Sequence, residues 1–273
     1  MNQFIIEPAF DANGNAVERV RILDTEDFRP SLIFNCGQCF RFNEIAEGLW
    51  RGIAFGKTLR VSGDAIICAR GEYESCWRAY LDMDTDYAAI RNEISISAFM
   101  REALDFGRGI RILRQDFWET LCSFIISQQN NIPRIKGIIR RLCGGDDRAF
   151  PEAGQIAAMS EPELRELGMG YRAPYVLSAA KAYDSGYISA DCSREDLMRL
   201  PGVGAKVANC VMLYGQRRID AFPVDVWMDR ALTRYFPPGF DHEAEFGQYA
   251  GVAQQYIFHY IRHVDKKAKV AGA

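Results

Sequence analysis

Apolar and polar residues follow one spacing in the first hundred residues and another in the rest of the chain. Between Trp50 and Arg70, three short apolar stretches partly alternate with polar residues, and Gly-Lys and Gly-Asp pairs separate them. Such alternation and such turns are typical of antiparallel strands joined as hairpins. This part therefore predicts a meander of strands, and the segments CWRAYLDM and YAAIRNEISI that follow it have helical spacing.

From about Arg111 onward, apolar residues recur every three or four positions, which is the period of a helix. The segments with this spacing are FWETLCSFIISQQ, IPRIKGIIRRLC, YVLSAAKAY, AKVANCVMLYG, DVWMDRALTRYF and YAGVAQQYIFHYIRHV. Ser160 and Ser193 are each followed three residues later by an acidic residue, which is a helix start signal. We therefore predict an α+β protein, with an N-terminal α/β domain containing a twisted antiparallel sheet over residues 1–108 and an all-α domain over residues 109–273.

The composition is that of an ordinary globular protein, with 48% hydrophobic and 25% charged residues. No apolar run approaches the ~20 residues that cross a bilayer, and the first residues lack the pattern of a secretory signal. Eight cysteines are scattered through apolar segments, which favours buried thiols over disulfides. We expect a protein that is not secreted and lies with the chromosome, in the cytoplasm of a bacterium or the nucleus of a eukaryote.

The net charge of −3 and the pI of about 5.8 argue against a protein that coats polyanions. A local basic face is still compatible with DNA, because phosphates respond to the nearby charges. The candidate cations for such a face are Arg111, Arg114, Arg134, Lys136, Arg140 and Arg141. A solvated helix surface is the alternative interpretation of the same residues.

The stretch SREDLMRLPGVGAKVANCVMLYG predicts two helices joined by a tight turn, a hairpin over residues 193–214. Glycines such as Gly202 and Gly204 suit positive φ or close backbone approach, and successive N–H groups at a helix start can bind a phosphate. Lys206 opens the second helix. A solvated lysine is the alternative, whereas a P-loop is excluded because Val207 follows the lysine.

Asp225 lies 19 residues after Lys206, in the stretch FPVDVWMDR. It follows Pro223 at the start of an amphipathic segment, where aspartate is a good N-cap. The capping role is sufficient to explain this residue. It is also compatible with catalysis, because a cap fixes a carboxylate at the mouth of a helix.

LPGVGAKVANC and PVDVWMDR together resemble the lysine and aspartate signatures of the helix-hairpin-helix DNA glycosylases. Within that superfamily the chain is most similar to the 8-oxoguanine DNA glycosylase/lyases. Four further stretches match in order, and the resemblance covers about residues 30 to 262: CGQCFRF, SFIISQQNNIPRI, LGMGYRAPYV and YAGVAQQYIFHY. It implies a bifunctional glycosylase and abasic-site lyase that flips 8-oxoguanine, paired with cytosine, out of duplex DNA.

The resemblance also implies roles for individual residues. Lys206 would attack C1′ of the sugar as a neutral amine, form a Schiff base and permit β-elimination, while Asp225 stabilises the cationic sugar. The pocket residues implied for the base are Gly37, whose carbonyl would accept from N7–H, Cys210 and Phe258, which would sandwich the base, and Gln254, which would bind its Watson–Crick edge. An ordinary core face is the alternative for Gln254 and Phe258, which are four residues apart.

For DNA, the resemblance implies Tyr171 as the wedge that fills the stack, with Arg172 and Arg134 contacting the orphaned cytosine. The other implied DNA contacts are Gln129, Asn130, Trp227 and the hairpin glycines Gly202 and Gly204. Two positions depart from the family pattern. Gln129 stands where many members have asparagine, and Trp227 stands where some have a histidine near a phosphate.

Two further patterns invite metal or redox chemistry. Cys36-Gly-Gln-Cys39 is a C-x-x-C motif, but strand-like alternation follows it and no second pair exists. His259 and His263 lack a nearby carboxylate, which favours packing or surface roles. We therefore expect no metal and no cofactor.

The expected partner is damaged double-stranded DNA, with no membrane, no obligatory protein partner and a monomeric state. Two other functions are compatible with the hairpin. One is a non-catalytic DNA-binding module, which the combination of Lys206 and Asp225 disfavours. The other is a glycosylase for a different lesion such as an alkylated purine, which Gln254 and Phe258 disfavour.

Overall fold

The structure is a computed structural model that describes residues 4–11 and 13–271, with side chains as far as residue 264. Six strands form one antiparallel sheet in the order β1-β2-β6-β5-β4-β3. The strands are β1 Phe4–Phe10, β2 Ala16–Ile22, β3 Phe42–Ala46, β4 Leu49–Ala54, β5 Lys57–Ser62 and β6 Ala65–Ala69. The predicted meander corresponds to β4, β5 and β6 and is confirmed, whereas β1 and β2 were not predicted.

One face of the sheet packs on helix α1, Pro30–Asn35. The ring of Phe42 on β3 stacks on the ring of Phe34 on α1, with centroids 4.1 Å apart. Gly52 on β4 permits this contact, because a Cβ there would lie 2.3 Å from the Phe42 ring. Trp50 and Trp77 complete this first hydrophobic core.

Helices make up most of the chain after β6. A π-helical turn, Tyr73–Trp77, leads into α2, and the chain continues through α3 to α14. The shorter helices are α2 Arg78–Tyr80, α3 Tyr87–Glu93, α7 Ala153–Ala157, α8 Glu161–Leu164, α10 Arg194–Met198 and α13 His242–Phe246. The longer helices are α4 Ala98–Phe106, α5 Phe117–Ser127, α6 Ile132–Cys143, α9 Ala173–Asp184, α11 Ala205–Gly215, α12 Val226–Tyr235 and α14 Ala250–Ala271. Across the described residues, no helix is long and apolar enough to cross a membrane.

The predicted helix starts are confirmed by their caps. Ser160 begins α8 and Ser193 begins α10, each in a reciprocal capping box. Asn131 caps α6, and Gly144 ends it with a left-handed φ of 73°. These local signals explain why the sequence pattern located the ends of the helices.

The helices enclose a second hydrophobic core, in which α5, α11 and α14 lie at the centre. Apolar residues from before residue 109 also belong to it, among them Tyr87, Ile90, Met100 and Leu104. The predicted division of the chain between residues 108 and 109 stays a prediction, because side chains on both sides of it share this core.

A buried polar cluster joins the two parts of the fold. Asp82, only 1% exposed, accepts from Arg114 at 2.7 Å, from Arg217 at 2.6 Å and from the Tyr87 hydroxyl at 2.9 Å. Arg217 follows α11, so this carboxylate ties the end of that helix to the segment before α3.

Arg111 is fully buried beside the same cluster. Its guanidinium donates to the main-chain oxygens of Leu81 at 3.1 Å, Thr85 at 3.0 Å and Asp27 at 2.9 Å. The proposed basic face is therefore wrong for Arg111. Its charge holds loops together inside the protein, as a buried guanidinium with satisfied donors can do.

Candidate active site

The predicted hairpin consists of α10, a tight turn and α11. Gly202 has a φ of +77°, and a Cβ on it would lie 2.3 Å from the ring of Tyr175. Glycine is therefore required there both for its backbone conformation and for the close approach of the ring. Gly204 is the N-cap of α11 and is exposed, so the start of that helix, where N–H groups lack intrahelical partners, lies at the surface.

Lys206 lies in the first turn of α11 and is half-buried. Its Nζ lies 5.2 Å from the centroid of the Phe124 ring, a cation–π distance. Phe124 in turn stacks on Tyr214 at 5.4 Å and meets the edge of Phe40 at 5.6 Å. The amine is therefore positioned over a floor of buried aromatic rings.

Asp225 is the N-cap of α12, as predicted. Its Oδ1 accepts from the main-chain N–H of Trp227 at 3.0 Å and of Met228 at 2.9 Å. Burial raises the pKa of the Cys210 thiol, Lys206 lowers it and Asp225 raises it further. Both predicted catalytic groups therefore affect the pKa of the same thiol, that of Cys210, which lies one turn after Lys206 on α11.

Gln254 and Phe258 lie one turn apart on α14. Gln254 is 4% exposed, and its buried Oε1 has no hydrogen-bond partner among the described residues. Gly37 has a φ of +89°, and a Cβ on it would lie 3.3 Å from the Phe258 ring. The C-G-Q-C segment and α14 thus meet at these residues, 221 positions apart in the sequence.

The backbone around Gly37 is held by buried amides that the sequence reasoning did not single out. Gln38 is fully buried and donates from Nε2 to the oxygens of Ile33 at 3.0 Å and Arg111 at 2.8 Å, while its Oε1 accepts from Leu113 N–H at 2.9 Å. Gln255 on α14 donates to the Cys36 oxygen at 3.1 Å. The segment is therefore fixed from both sides.

The thiols of this segment are free and buried. Burial raises the pKa of Cys36 to about 12 and also raises that of Cys39. Strand β3 follows the motif, as its alternation predicted. Among the described side chains, which end at residue 264, no group of three or more His, Cys, Asp or Glu is arranged to hold a metal ion.

Arg262 also lies where α14 meets the segment around Gly37, and the sequence pattern was not used to find it. Its guanidinium lies 5.1 Å from the centroid of the Phe258 ring, and its Nη1 lies 3.4 Å from the Cβ position of Gly37. Burial lowers the pKa of Arg262, whereas Asp225 raises it. The four-residue spacing of Gln254, Phe258 and Arg262 on one helix face is the signal that could have found it.

The predicted DNA-contacting loops meet at Arg172. The residue is 4% exposed, and its guanidinium donates to the oxygens of Gln128 at 2.7 Å, Gln129 at 3.2 Å and Met169 at 3.2 Å. The same guanidinium stacks on the ring of Tyr171, which is 44% exposed. Arg172 therefore joins the loop before α6 to the loop before α9.

The other predicted DNA contacts differ in how exposed they are. Gln129 is exposed with a φ of +48°, and Asn130 donates from Nδ2 to the Ile126 oxygen at 2.9 Å. Arg134 is exposed in the first turn of α6. Trp227 is half-buried, with the Arg230 guanidinium 5.3 Å from its ring centroid.

The remaining cations of the predicted basic face are bound to protein groups. Lys136 donates to the Phe42 oxygen at 2.5 Å, Arg140 pairs with Asp146 at 3.0 Å, and Arg141 donates to the Leu167 oxygen at 2.8 Å. Lys136 and Arg141 therefore tie α6 to neighbouring segments, whereas the pair of Arg140 and Asp146 is exposed.

The histidine pair packs against an aromatic ring. His259 is 4% exposed and lies against the ring of Phe106, with centroids 5.4 Å apart. Burial lowers its pKa to about 4. His263 approaches the His259 oxygen at 2.8 Å. This arrangement agrees with the packing role expected for the pair.

Two family models match consecutive parts of the chain, which together span residues 21–246. The model described as 8-oxoguanine DNA glycosylase, N-terminal domain, matches residues 21–121. The model described as HhH-GPD superfamily base excision DNA repair protein matches residues 122–246, which include the hairpin, Lys206 and Asp225.

Individual relatives agree with these matches. The N-glycosylase/DNA lyase of Saccharomyces cerevisiae is 38% identical over 157 residues, which are 46% of this chain and 42% of that protein. The probable N-glycosylase/DNA lyase of Methanothermobacter thermautotrophicus is 32% identical over 204 residues, 58% of this chain and 65% of that protein. The chain thus spans less than two thirds of the length of these curated relatives.

A solved structure covers the whole fold. The 8-oxoguanine glycosylase/lyase of Clostridium acetobutylicum, in complex with double-stranded DNA containing cytosine opposite to 8-oxoG, has a TM-score of 0.87 and 32% identity. The match covers 97% of this chain and 100% of that chain. Fold and hairpin together are those of the HhH-GPD superfamily. Within it, the chain belongs to the 8-oxoguanine DNA glycosylase family.

Proposed function

We propose that the protein is a DNA glycosylase and abasic-site lyase that excises 8-oxoguanine opposite cytosine from duplex DNA. Three elements that the predicted motifs supply carry this proposal. An amine rests on an aromatic floor at the mouth of a glycine hairpin, a carboxylate caps the next helix, and the Gly37 backbone faces Phe258. The names of the relatives, N-glycosylase/DNA lyase and 8-oxoguanine glycosylase/lyase, support the same activity.

The duplex is held through its backbone and opened at the lesion. The exposed N–H groups at the start of α11 bind a phosphate, as helix N-termini do. Trp227, at the start of α12, donates its indole N–H to a neighbouring phosphate. The exposed Tyr171 enters the stack when the damaged nucleotide is extruded, and Gln129 and Asn130 border the gap.

Reading of the orphaned cytosine falls mainly to Arg134, which is exposed on α6. Arg172 contacts the same cytosine only when its guanidinium gives up its hydrogen bonds to the carbonyls of Gln128 and Gln129. In the free protein these bonds make Arg172 a support for the Tyr171 ring.

The extruded base is recognised by hydrogen bonds that guanine cannot match. 8-Oxoguanine has an N7–H donor, which the Gly37 carbonyl accepts, whereas guanine presents an acceptor and would leave two acceptors facing each other. The unpartnered Oε1 of Gln254 accepts from the Watson–Crick edge of the base. Phe258 and Cys210 enclose the two faces of the ring.

The chemistry uses Lys206 and Asp225. The neutral Lys206 amine forms a bond to C1′ while the bond from C1′ to the base breaks, and the base leaves with that electron pair and takes up a proton. The carboxylate of Asp225 opposes the positive charge that develops on the sugar. The sugar ring then opens to an imine, and loss of a C2′ proton breaks the C3′–O bond, so the phosphate leaves and the strand is cut.

Borohydride trapping tests this proposal, because it reduces the imine to a permanent bond between protein and DNA. The protein should be trapped on a duplex with 8-oxoguanine opposite cytosine, and Lys206→Gln should remove the trapped product completely. Lys181→Gln, which changes an exposed cation near the end of α9, is the matched control and should still be trapped.

Other outcomes of the same assay would assign a different function. Trapping that persists in Lys206→Gln would place the nucleophile at another residue. Binding of duplex DNA without excision would indicate a non-catalytic module. Excision confined to alkylated purines in a panel of lesions would indicate a different substrate class.

A further inference from the structure

Helix α11 carries a second polar side chain three residues after Lys206. Asn209 donates from Nδ2 to the main-chain oxygen of Phe222 at 2.9 Å, and its Oδ1 accepts from Arg194 Nε at 2.9 Å. Both ends of the amide are therefore bonded to other segments of the chain. The side chain is half-buried, so its conformation is fixed by these partners.

The oxygen that Asn209 binds lies close to Asp225 along the chain. Phe222 is 3% exposed, and its ring stacks on that of His242 with centroids 3.9 Å apart. Pro223 follows, and its ring restricts the backbone. The position of the Phe222 peptide is therefore transmitted to Asp225 through a short segment with little freedom.

The same segment is held on its other side by α14. Gly251 donates its N–H to the Ile219 oxygen at 2.8 Å. A Cβ on Gly251 would lie 2.4 Å from the Ala221 oxygen, so the helix approaches this backbone as closely as glycine allows. The segment that ends in Asp225 thus lies between α14 and α11, and Asn209 is a side-chain tie to α11.

We propose that Asn209 is a positioning residue that sets the location of Asp225 relative to Lys206. The proposal rests on the function proposed above, in which both groups act on one sugar carbon. Displacement of a reacting group by about 1 Å can cost on the order of 100-fold in rate. Asn209 touches neither substrate nor reacting atoms in this scheme. It acts through the Phe222 peptide.

Two steps of the proposed reaction depend differently on this alignment. Excision of the base requires Lys206 and Asp225 together, because positive charge develops on the sugar as the base leaves. Imine formation at an abasic site that already lacks its base requires the amine but not that stabilisation. Loss of the Asn209 tie should therefore slow excision more than it slows trapping on abasic DNA.

The test is Asn209→Leu, which keeps the size of the side chain and removes both hydrogen bonds. Single-turnover excision of 8-oxoguanine should fall about 10- to 100-fold. Borohydride trapping on the same duplex with a preformed abasic site should stay within about threefold of that of the unchanged protein. Arg194→Met removes one of the two hydrogen bonds of Asn209. It should also slow excision more than trapping, with a smaller loss of excision. This variant tests the proposal if Asn209→Leu folds poorly.

The matched control is Gln216→Leu. Gln216 follows α11 and donates from its amide to the Cys192 oxygen at 2.8 Å, so it loses the same kind of bond at the other end of the helix. Both variants are compared by thermal melting, and Gln216→Leu should excise at the unchanged rate.

Parallel loss of excision and trapping in Asn209→Leu, unchanged excision in it, or an equal loss in Gln216→Leu would each overturn the proposal. Failure of the unchanged protein to excise or be trapped would instead remove the proposed function, and this inference with it.

Discussion

The sheet region and the helical region contribute to the site in different ways. The segment between α1 and β3 contributes main-chain atoms, namely the backbone at Gly37. The buried side-chain amides of Gln38 and Gln255 hold this backbone in place. From the helices come side chains, with Lys206 on an aromatic floor and Asp225 at a helix start. A carbonyl is suited to discrimination between donors and acceptors, whereas an amine and a carboxylate are suited to bond breaking. In the proposed function, recognition and chemistry are therefore built on different parts of the fold.

The largest effect that separates the two parts is expected for Asp225→Asn. Asparagine is as good an N-cap as aspartate, so α12 should keep its stability. Excision should slow by about 100- to 1,000-fold, as when one preorganised electrostatic group is removed. Single-turnover rates on 8-oxoguanine and guanine duplexes measure this.

The ratio of the excision rates for 8-oxoguanine and guanine should stay unchanged in Asp225→Asn, because the residues proposed to bind the base are not altered. Equal losses in excision and in DNA binding would reduce Asp225 to a helix cap. Asp229→Asn, four residues along the same helix, is the control for a general change of charge.

A second prediction concerns Glu119 on α5, which lies 3.6 Å from Arg41 of the sheet region. Burial raises the pKa of Glu119 to about 7, and Arg41 opposes that rise. The folded protein therefore holds a proton that the unfolded chain releases near its ordinary value of 4.5. This stabilisation is complete below about pH 4.5 and is lost as the pH rises through 7.

The stability lost between pH 4.5 and pH 7 through Glu119 is at most about 3 kcal/mol. Glu119→Gln should remove this pH dependence. The free energies of unfolding measured with denaturant at pH 5 and pH 8 should therefore differ less than in the unchanged protein. An equal or steeper decline in the variant would contradict the prediction. Glu195→Gln is the control, because Glu195 is an exposed glutamate in the first turn of α10.

The smallest effect is expected on discrimination, from Gln38→Leu. The variant removes the side-chain bonds to Ile33, Arg111 and Leu113 and frees the Gly37 backbone to move. The ratio of excision rates for 8-oxoguanine and guanine should fall about tenfold, equivalent to ~1.4 kcal/mol. Trapping on abasic DNA should change little.

Gln115→Leu is the milder companion variant. Gln115 donates to the main-chain oxygen of Gln38 at 2.7 Å, and its loss leaves the buried amide intact. A tenfold loss of trapping without loss of discrimination in Gln38→Leu would contradict the division between the two regions.

Sequence spacing located the helices well because their signals are local. The segments IPRIKGIIRRLC and AKVANCVMLYG coincide with α6 and α11, where caps and apolar period agree. Strand β2 was missed because Glu18, an acid, occupies an inward position. Its carboxylate accepts from the N–H groups of Gly71 at 3.0 Å and Tyr73 at 2.6 Å, partners about fifty residues away.

The same distinction applies to the site. Lys206 and Asp225 stand in short motifs, so the resemblance found them, and their roles stay predictions. Gln38 and Asn209 make their contacts with other segments of the chain, which no periodicity reports, whereas Arg262 continues the four-residue spacing of Gln254 and Phe258. Arg111 was placed on a basic surface because its charge is visible in the sequence, whereas its burial depends on carbonyl groups that only the folded chain brings together.

The burial of the thiols beside the pocket has a chemical consequence of its own. Peroxides attack the thiolate form of cysteine, and a raised pKa keeps a thiol protonated near neutrality. Burial raises the pKa of Cys36, Cys39 and Cys210 alike. On the proposed function, a protein that removes oxidised bases would carry thiols that peroxides oxidise slowly under the stress that generates its substrate.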